Sequence, residues 1–444
     1  MKSFVVKLSP PLEGSIRLPG DKSIAHRAVI LSSLSAGTAR ISNFPFNRDC
    51  LQTIRAFRSL GAAISCNEKK GTVLVRGRGK AGLRPAQGNI FTGESGTTMR
   101  LLLGVLAGQP FASTLSASAS LSRRPMLRVT APLRGMGARI TARRKKNGAA
   151  LEEYPPVAIL PGSLKGISYS PPVASAQVKS ALLLAGLFAT GRTRVIEPMK
   201  TRDHTERMLR SFGVKVSVRG NEVSIKGPAV LKSPGKVTVP GDISSAAFFI
   251  VAALLAKGSR VLLKDVSLNP SRMGAVRVLK RMGARIWFQA RTNAKAGAEP
   301  AGWLKAQSSA LKGVRVRAKE IPWLIDELPV LMVAAACARG SSVFEGVGEL
   351  RVKETDRIRS MSENLRKMGV DIRASRSKGR EDIVIKGTKL LHGARVRSFG
   401  DHRTAMSMII AGMNASGMTA IDDIDCIKKS FPGFLQKLKG LSGL

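Results

Sequence analysis

One pattern recurs six times along the chain and constrains its fold more than any other feature. In each copy a polar cluster is followed by a short apolar helix, then a glycine, and then a strand-like segment. The helices open at Ser23, Ser95, Ser175, Asp242, Asp326 and Asp401, and the closing glycines are Gly37, Gly108, Gly191, Gly258, Gly340 and Gly417. Because Ser and Asp are natural helix N-caps and glycine is a natural stop, the pattern predicts six structural repeats.

A second, amphipathic helix recurs out of phase with the first and ends in an apolar residue followed by glycine. The copies of this ending are Leu60-Gly61, Met136-Gly137, Phe212-Gly213, Met282-Gly283 and Met368-Gly369, with a degraded sixth copy at 434–440. Strand-like segments with alternating or β-branched residues accompany both helix classes. We therefore predict an α/β fold with about two helices and three or four strands in each repeat.

Two similar tetrapeptides, at 18–21 and 239–242, divide the six repeats into two groups of three. Because Pro-Gly interrupts regular structure, we expect both tetrapeptides to be crossings between domains. The predicted domains are residues 20–241, which are inserted, and a discontinuous domain of residues 1–19 plus 242–444. Residues 292–313 are rich in Ala, Gly and Lys and break the repeat spacing, which predicts a surface insertion of unknown role.

Each apolar helix should begin with exposed backbone N–H groups and a partial positive charge, which attract phosphate or carboxylate. A single helix end ordinarily satisfies only its own cap. Here several ends are flanked by charged residues: Lys22 and Arg27, Arg100, Asp326 and Arg403. We therefore expect these helix ends to converge on one site that binds anions.

The formal net charge of +44 raises nucleic-acid binding as another possible function. Lys and Arg are spread over the whole chain, however, and only 5% of residues are aromatic, so base-stacking platforms are sparse. We expect no specific nucleic-acid partner. No apolar run approaches the roughly 20 residues that span a bilayer, and a signal-peptide pattern is missing, which predicts a cytoplasmic protein without a membrane partner. The four Cys and four His lack metal-ligand spacing.

The segment 18–27 carries the sharpest chemical signal. Lys22 and Ser23 are predicted at a helix mouth, and Arg27 one turn beyond Ser23 on the same face. An ammonium, a hydroxyl and a guanidinium would then be presented to one anion. A capped helix with solvated charges is the alternative explanation of this segment alone.

A second charged motif lies at 350–357. Lys353 and Glu354 are each predicted about one helical turn from Arg357, which would hold a carboxylate among cations. Ordinary exposed ion pairing would explain this motif equally well when it is considered alone.

Taken together, these motifs resemble those of the 5-enolpyruvylshikimate-3-phosphate synthase family, over essentially the whole chain. The matching stretches are Pro19-Gly-Asp-Lys-Ser-Ile, Ser95-Gly-Thr-Thr-Met-Arg, Arg124-Pro, Ser175-Ala-Gln, Thr201-Arg-Asp-His-Thr, Val239-Pro-Gly-Asp, Ile325-Asp-Glu, Arg351-Val-Lys-Glu-Thr-Asp-Arg, Gly400-Asp-His-Arg and Lys429-Ser-Phe-Pro. The resemblance implies a two-domain inside-out α/β barrel of six βαβαββ-type repeats, three per domain, with the active site in the interdomain cleft. It also implies a monomer that needs no metal or organic cofactor.

The resemblance implies a transfer of the enolpyruvyl group from phosphoenolpyruvate to the 5-hydroxyl of shikimate 3-phosphate, with release of phosphate. By position in the family motifs, the implied contacts of shikimate 3-phosphate are Lys22, Ser23, Arg27, Ser175, Ala176, Gln177, Arg202, Asp326 and Lys353. The implied contacts of phosphoenolpyruvate are Lys22, Gly96, Arg124, Gln177, Arg357, Arg403 and Lys429. The two substrates bring roughly −5 to −6 charges to the site, which suits many Arg and Lys side chains.

The implied catalytic residues are Lys22, Asp326 and Glu354. The methylene carbon of phosphoenolpyruvate gains a proton and later loses one, so the reaction needs a group that both gives and takes a proton. Glu354 is the candidate for that group, with Lys22 assisting and stabilising the leaving phosphate. Asp326 would take the proton of the 5-hydroxyl, although the sequence leaves the division of labour open.

Several positions depart from, or choose within, the family pattern, and two of them bear most directly on ligand binding. Glu94 stands where many members have Asn, and a carboxylate there requires a nearby cation. Gly96 stands where an Ala is associated with herbicide tolerance in some members, which predicts that glyphosate inhibits this chain.

Two alternative functions remain. A UDP-N-acetylglucosamine enolpyruvyl transferase shares the fold and cosubstrate, but it carries Lys-Asn where this chain has Lys22-Ser23. It also carries a cysteine in a loop that corresponds to residues 120–125 here, and these residues include no cysteine. A noncatalytic nucleic-acid-binding relative would not need the carboxylates of Asp326 and Glu354.

Overall fold

A computed structural model of the chain describes residues 3–147, 150–291, 297–377 and 379–442. Two compact units are present. Unit 1 draws on the ranges Met1–Pro19, Pro240–Thr292 and Pro300–Leu444, and unit 2 on Gly20–Val239 and Asn293–Glu299. Among the described helices, none is both long and apolar enough to cross a membrane.

The helices alternate between two classes. In chain order they are α1 (Lys22–Leu34), α2 (Arg48–Ser59), α3 (Gly96–Leu106), α4 (Leu127–Gly135), α5 (Ala176–Gly186), α6 (His204–Ser211), α7 (Ile243–Leu255), α8 (Gly274–Arg281), α9 (Leu328–Ala336), α10 (Arg357–Lys367), α11 (His402–Gly412) and α12 (Phe434–Ser442). The odd-numbered helices are the apolar ones of the sixfold pattern, and the even-numbered ones are its second class. Both predicted classes are thereby confirmed.

Twenty-five strands of the described residues complete the two units. They are β1 (Phe4–Val6), β2 (Glu13–Arg17), β3 (Ala36–Ser42), β4 (Ala63–Asn67), β5 (Thr72–Arg78), β6 (Ile90–Phe91), β7 (Ser113–Ser116), β8 (Arg139–Asn147), β9 (Ala150–Leu160), β10 (Ser168–Tyr169), β11 (Gly191–Ile196), β12 (Val216–Arg219), β13 (Glu222–Gly227), β14 (Lys236–Thr238), β15 (Arg260–Ser267), β16 (Arg285–Ala290), β17 (Ala301–Gln307), β18 (Arg315–Val316), β19 (Ser341–Phe344), β20 (Asp371–Ser377), β21 (Arg380–Lys386), β22 (Leu391–His392), β23 (Arg395–Val396), β24 (Ala415–Ser416) and β25 (Thr419–Ile421).

Unit 2 contains three four-stranded sheets of one design. Their strand orders are β14-β3-β5-β4, β6-β7-β9-β8 and β10-β11-β13-β12. In each sheet the first pair of strands is parallel and the other two pairs are antiparallel. The sequence repeat is therefore a repeat of sheet topology as well as of helices.

Unit 1 follows the same design in two sheets and departs from it in the third. The orders β2-β15-β17-β16 and β18-β19-β21-β20 match those of unit 2, with a parallel first pair followed by two antiparallel pairs. The third copy consists of a three-stranded sheet, β1-β25-β23, and a separate pair, β22-β24. This smaller arrangement belongs to the repeat whose sequence signature is degraded.

The prediction of a surface insertion over 292–313 is wrong for the seven residues Ala301–Gln307. Ala301–Gln307 form β17, which pairs with both β16 and β15 inside a sheet of unit 1. Gly302, Leu304 and Ala306 are buried along this strand, while Trp303 is exposed. The period-2 pattern of a strand was present, but small residues and Lys obscured it. Residues 292–296 lie outside the described part of the chain.

The apolar helices lie inside each unit. Every residue of α9 and of α11 is buried, and in α7 only the last residue, Leu255, is less than fully buried. A helix that is apolar on all sides must be surrounded by other elements, so the sheets pack around these helices. The inside-out arrangement follows from this distribution of apolar residues.

Five of the even-numbered helices, α2, α4, α6, α8 and α10, end in the same hydrogen-bonded turn. After α2, Gly61 has φ of 82° and donates to the carbonyl of Arg58 at 2.9 Å, and Ala62 donates to the carbonyl of Phe57 at 2.9 Å. This pair of bonds is a Schellman motif, which favours glycine because its φ is positive. The same pair ends α4, α6, α8 and α10, with glycines at Gly137, Gly213, Gly283 and Gly369.

An arginine secures four of these helix ends to the strand that follows. The guanidinium of Arg58 donates to the carbonyl of Ile64, six residues later, at 2.8 Å. The equivalent contacts are made by Arg134, Arg210 and Arg366. The helix end, its glycine and the start of the next strand are therefore held together by hydrogen bonds between residues that are close in sequence.

Candidate active site

Side-chain hydrogen bonds join the first two turns of the apolar helices in unit 2. Arg27 of α1 donates to Ser180 Oγ of α5 at 2.7 Å, and Arg100 of α3 donates to Gln177 Oε1 of α5 at 2.7 Å. Gln177 Nε2 donates in turn to Thr97 Oγ1 at 3.0 Å. The helix ends of this unit thus lie together, as predicted, and their partial positive charges add.

A second chain of contacts links α1, α2 and α3. His26 Nδ1 lies 2.6 Å from Thr53 Oγ1, which lies 2.7 Å from Thr98 Oγ1, and the Thr98 hydroxyl donates to Ser95 Oγ at 2.8 Å. Burial lowers the pKa of His26 to about 3. The imidazole is therefore neutral at pH 7 and supports the helix ends without adding charge.

Lys22 is the first residue of α1, and its ammonium is held by Asp49. The Nζ–Oδ2 distance is 2.8 Å, and the Lys22 side chain is 19% exposed. Asp49 lies in the first turn of α2, where a negative charge is favoured by the helix dipole. Asp49 was absent from the sequence-based site, because its position 27 residues from Lys22 gives no local spacing signal.

Arg27 is almost completely enclosed, with 5% exposure. Its guanidinium donates to Thr205 Oγ1 at 2.7 Å and to the backbone carbonyl of Ser23 at 2.8 Å, in addition to Ser180. Burial lowers the pKa of Arg27 to about 10, so the side chain stays protonated at pH 7. The predicted proximity of Ser23 and Arg27 is confirmed, while the supporting hydroxyls of Ser180 and Thr205 were not anticipated.

Gly96 lies directly beside Arg124, as the sequence motif implies. Gly96 is the first residue of α3, where Ser95 caps the helix by accepting from the Thr98 N–H at 3.2 Å. A Cβ on Gly96 would lie 3.0 Å from Nη1 of Arg124 and 3.0 Å from Nη1 of Arg100. Glycine here lets two guanidinium groups approach the helix end.

The remaining predicted residues of unit 2 lie at α5 and before α6. Ser175 is the N-cap of α5 and accepts from the Val178 N–H at 3.4 Å, and Ala176 is the first helical residue. Arg202 precedes α6 and is close enough for its charge to lower the pKa of Arg27. Unit 2 thus gathers the predicted residues Lys22, Ser23, Arg27, Gly96, Arg124, Ser175, Ala176, Gln177 and Arg202 around its helix ends.

In unit 1 the predicted residues cluster around Arg357, which is 1% exposed. Its guanidinium donates to Asp401 Oδ2 at 2.8 Å and to Glu354 Oε2 at 2.6 Å, and Nη1 lies 3.6 Å from Asp326 Oδ1. Burial alone would lower the pKa of Arg357, but the three carboxylates raise it above its ordinary value. The guanidinium is therefore a permanent cation that fixes two of the predicted catalytic carboxylates.

Asp401 connects this cluster to the N-terminus of α11. Its Oδ1 accepts from the backbone N–H of Arg403 at 2.7 Å, and burial, which would raise its pKa, is outweighed by the charge of Arg357, which lowers it. The Arg403 side chain then donates to the carbonyl of Asp326 at 2.7 Å. Asp326 is thus held between two arginines.

Asp326 does not cap the helix that it was predicted to open. Glu327 occupies the N-cap position of α9, and its side chain makes no capping bond. It accepts instead from the hydroxyl of Ser244, beside the buried Arg272. The carboxylate of Asp326 lies instead beside Arg357 and Arg403.

Two lysines complete the predicted set in unit 1. Lys353 lies 3.9 Å from Glu349 Oε2, and burial lowers its pKa. Asp326, Arg357 and Glu354 are all near enough to act on its charge. Lys429 is buried at the end of a short 3-10 helix, Asp425–Lys429, that packs against α11.

Glu94 lines a cavity of about 320 Å³ in unit 2. Arg48 and Arg55 of α2 line the same cavity, together with Asp49 and Gln52. The carboxylate at position 94 thus shares this cavity with two guanidinium groups.

Comparisons with known proteins agree along the whole chain. A family model described as EPSP synthase (3-phosphoshikimate 1-carboxyvinyltransferase) matches residues 6–438. The 3-phosphoshikimate 1-carboxyvinyltransferase of Desulforudis audaxviator is 48% identical and is aligned over 99% of each chain. That of Halorhodospira halophila is 49% identical over 97% of this chain and 94% of its own.

Solved structures agree with the sequence matches. An EPSP synthase structure from Acinetobacter baumannii has a TM-score of 0.85 and 41% identity, and covers 99% of this chain and 98% of its own. The fold class predicted from the repeats is thus confirmed. On both sequence and structure, the chain belongs to the EPSP synthase family.

Proposed function

We propose that the chain is an enzyme, a 3-phosphoshikimate 1-carboxyvinyltransferase. It transfers the enolpyruvyl group of phosphoenolpyruvate to the 5-hydroxyl of shikimate 3-phosphate and releases phosphate, a step of the shikimate pathway to aromatic amino acids. The relatives that it matches over nearly their full length carry this name. The single observation that best supports the assignment is the cluster in which Arg357 contacts both Glu354 and Asp326.

The charges of the two clusters suit these substrates. Together the substrates bring roughly −5 to −6 charges, which need several cations and helix N-termini to balance them. We assign the cluster of unit 2 mainly to shikimate 3-phosphate, with Arg27 and Arg202 near its charged groups. We assign Arg124 of unit 2, together with Arg357, Arg403 and Lys429 of unit 1, to phosphoenolpyruvate.

The reaction has two stages. In the addition, the oxygen of the 5-hydroxyl bonds to C2 of phosphoenolpyruvate while C3 gains a proton. In the elimination, C3 loses a proton and the bond from C2 to the phosphate oxygen breaks. Asp326 accepts the hydroxyl proton, Glu354 gives and takes the proton at C3, and Lys22 stabilises the leaving phosphate.

The contacts of the carboxylates support this assignment. Arg357 fixes Glu354 by a hydrogen bond of 2.6 Å, and Arg403 fixes the backbone of Asp326. A carboxylate that gives a proton to C3 and later removes one from it must stay within reach of that carbon, and such positioning favours both transfers. Nucleic-acid binding would use the cations alone and would leave these two carboxylates without a purpose.

The organisation of the chain is part of the proposal. We take unit 2 as the inserted domain and unit 1 as the discontinuous domain. The predicted site residues of both domains act on the same pair of substrates. The enzyme acts as a monomer in the cytoplasm and requires no added metal or cofactor.

Phosphate release from the purified chain tests the function. Phosphoenolpyruvate and shikimate 3-phosphate are supplied together, and each is omitted in turn. Release that needs both substrates is the expected result. Release only when UDP-N-acetylglucosamine replaces shikimate 3-phosphate would assign the chain to the sister transferase. If correctly folded protein releases no phosphate with any of these substrate combinations, the enzymatic assignment is overturned.

A further inference from the structure

Unit 2 contains a buried group of three charges that the proposed reaction does not use. Lys179 of α5 is 1% exposed, and its Nζ lies 2.9 Å from Glu197 Oε2 and 2.6 Å from Glu206 Oε1. Glu197 directly follows β11, and Glu206 lies in α6. We call these three residues the buried triad.

The buried triad closes the segment that carries Arg202. Glu197 Oε1 accepts a hydrogen bond from the Thr201 N–H at 3.1 Å and another from the Thr201 hydroxyl. Because Lys179 holds the other oxygen of Glu197, the segment 197–201 is anchored to α5. Arg202 is the next residue, so its backbone begins at this anchor.

The triad also lies one residue away from the contacts of Arg27. Ser180 follows Lys179, and Thr205 precedes Glu206. The hydroxyls of Ser180 and Thr205 lie 2.7 Å apart, and each accepts from the Arg27 guanidinium. The α5–α6 contact therefore has two adjacent layers, one made by the triad and one that holds Arg27. A shift of α6 against α5 would disturb both layers.

Stability alone gives a weak reason for such a group. Replacing a buried ion pair by uncharged residues of similar size is often neutral or even stabilising, because ions lose their hydration when buried. Burial raises the pKa of the Glu206 carboxyl, with Lys179 opposing the rise. The cost of this burial is consistent with a role in fixing geometry.

From this geometry we infer that Lys179, Glu197 and Glu206 are positioning residues for shikimate 3-phosphate. They hold the segment 197–205 so that Arg202 and Arg27 present their guanidinium groups together to the anionic groups of that substrate. The inference rests on the proposed function, and it extends the site to three residues that need not touch the substrate.

The test compares variants of the full-length chain. Lys179→Met leaves two buried carboxylates without their cation, which destabilises the fold. The decisive variant is therefore Lys179→Met/Glu197→Gln/Glu206→Gln, which carries no charge at the triad. We expect it to fold, with a KM for shikimate 3-phosphate raised tenfold or more. The KM for phosphoenolpyruvate and kcat should change less than about threefold, because uniform binding is what is lost. A folded triple variant with an unchanged KM for shikimate 3-phosphate would overturn the inference.

Arg134→Met is the matched control. Arg134 lies in unit 2 and pairs with the buried Glu153 at 2.9 Å, in a different repeat. It should lower thermal stability and leave the KM for shikimate 3-phosphate unchanged. An equal rise of that KM in the control would mean that general destabilisation, not positioning, is measured.

Amide hydrogen exchange and calorimetry separate this inference from the proposed function. The triple variant should exchange faster over 197–205, and the Arg134→Met control should not. If the wild-type chain fails to bind shikimate 3-phosphate in a calorimetric titration, the proposed function fails, and the inference about that substrate fails with it. If the wild type binds and the variant binds equally well, only the inference is overturned.

Discussion

A Cβ atom placed on Gly96 would lie 3.0 Å from Nη1 of Arg124, which is closer than most Cβ contacts in proteins. The neighbouring guanidinium of Arg100 is equally close. Any side chain at position 96 must therefore displace an arginine by a few tenths of an ångström. Because we assign Arg124 to phosphoenolpyruvate, this contact governs the size of ligand that can bind beside it.

The first prediction concerns Gly96→Ala. Glyphosate has three atoms between its phosphorus and its carboxylate carbon, whereas phosphoenolpyruvate has two, so the longer ligand should lose more from a displaced Arg124. We expect the inhibition constant of glyphosate to rise about tenfold or more and the KM for phosphoenolpyruvate to rise less, on the scale of about 1 to 3 kcal/mol for an overpacked site. Steady-state kinetics with varied phosphoenolpyruvate measure both constants.

Gly135→Ala is a suitable control for that substitution. Gly135 ends α4 in the same unit, and a Cβ there would meet only the Cδ1 of Ile167, at 3.8 Å. Both kinetic constants should stay at their wild-type values. Equal effects of glyphosate on the wild type and on Gly96→Ala would contradict the role given to this contact.

The second prediction concerns Glu354→Gln. The amide keeps the shape of the side chain and can still accept from Arg357, but it cannot carry a proton to and from C3. We expect kcat to fall by about 10² to 10⁴, with KM values changed only severalfold. Glu363→Gln, a partly exposed change on α10, the helix that follows Glu354, should keep full activity. A Glu354→Gln variant with nearly normal kcat would move the proton-transfer role to another residue.

The third prediction concerns the pH dependence of stability and His26. Burial lowers the pKa of His26 to about 3, whereas the unfolded side chain titrates near its ordinary value of about 6.5. Below pH 6.5 the unfolded chain binds the additional proton, so the free energy of unfolding falls by about 1.4 kcal/mol per pH unit. The contribution is fully present above pH 6.5.

Urea unfolding of the wild type and of His26→Asn at pH 6.5 and pH 5 measures this contribution of His26 to the free energy of unfolding. Asn can keep a hydrogen bond to Thr53 but does not titrate. The wild type should lose about 1.6 kcal/mol more than the variant between the two pH values. Parallel losses in the wild type and His26→Asn would contradict a neutral His26.

The fourth prediction concerns the net charge of +44. Nonspecific contacts with phosphates release counterions, so the affinity for a random single-stranded oligonucleotide should fall steeply with salt. We expect detectable binding at 20 mM salt and essentially none at 150 mM, measured by fluorescence anisotropy. Tight binding that persists at 150 mM would restore a nucleic-acid function as a serious alternative.

The sequence predicted those parts of the site that depend on local spacing. Glu354 and Arg357 are three residues apart on a common motif, and their hydrogen bond was foreseeable. Arg27 and Ser23 are four apart, and the same reasoning placed them together. The sixfold repeat predicted both helix classes, because apolar periodicity and glycine stops are local properties.

Contacts between distant segments could not be predicted in this way. Asp401 lies 44 residues from Arg357, and Asp49 lies 27 residues from Lys22. These partners are brought together by the packing of helices, for which one sequence gives no spacing rule. The strand β17 was missed for a different reason, since its exposed positions and small buried residues hide an otherwise regular alternation.

The parallel pairing of β2 with β15 joins Glu13 to Arg260 and Arg17 to Lys264. A ribosome that adds about 5 to 20 residues per second needs roughly 10 to 50 s to pass from one strand to the other. During that time all of Gly20–Val239 is synthesised, and it can fold as a unit because its own sheets and helices are complete. The first strands of the chain must meanwhile wait without their partners. The order of synthesis thus makes unit 2 the natural first folding unit and leaves unit 1 to close around a strand that was made long before.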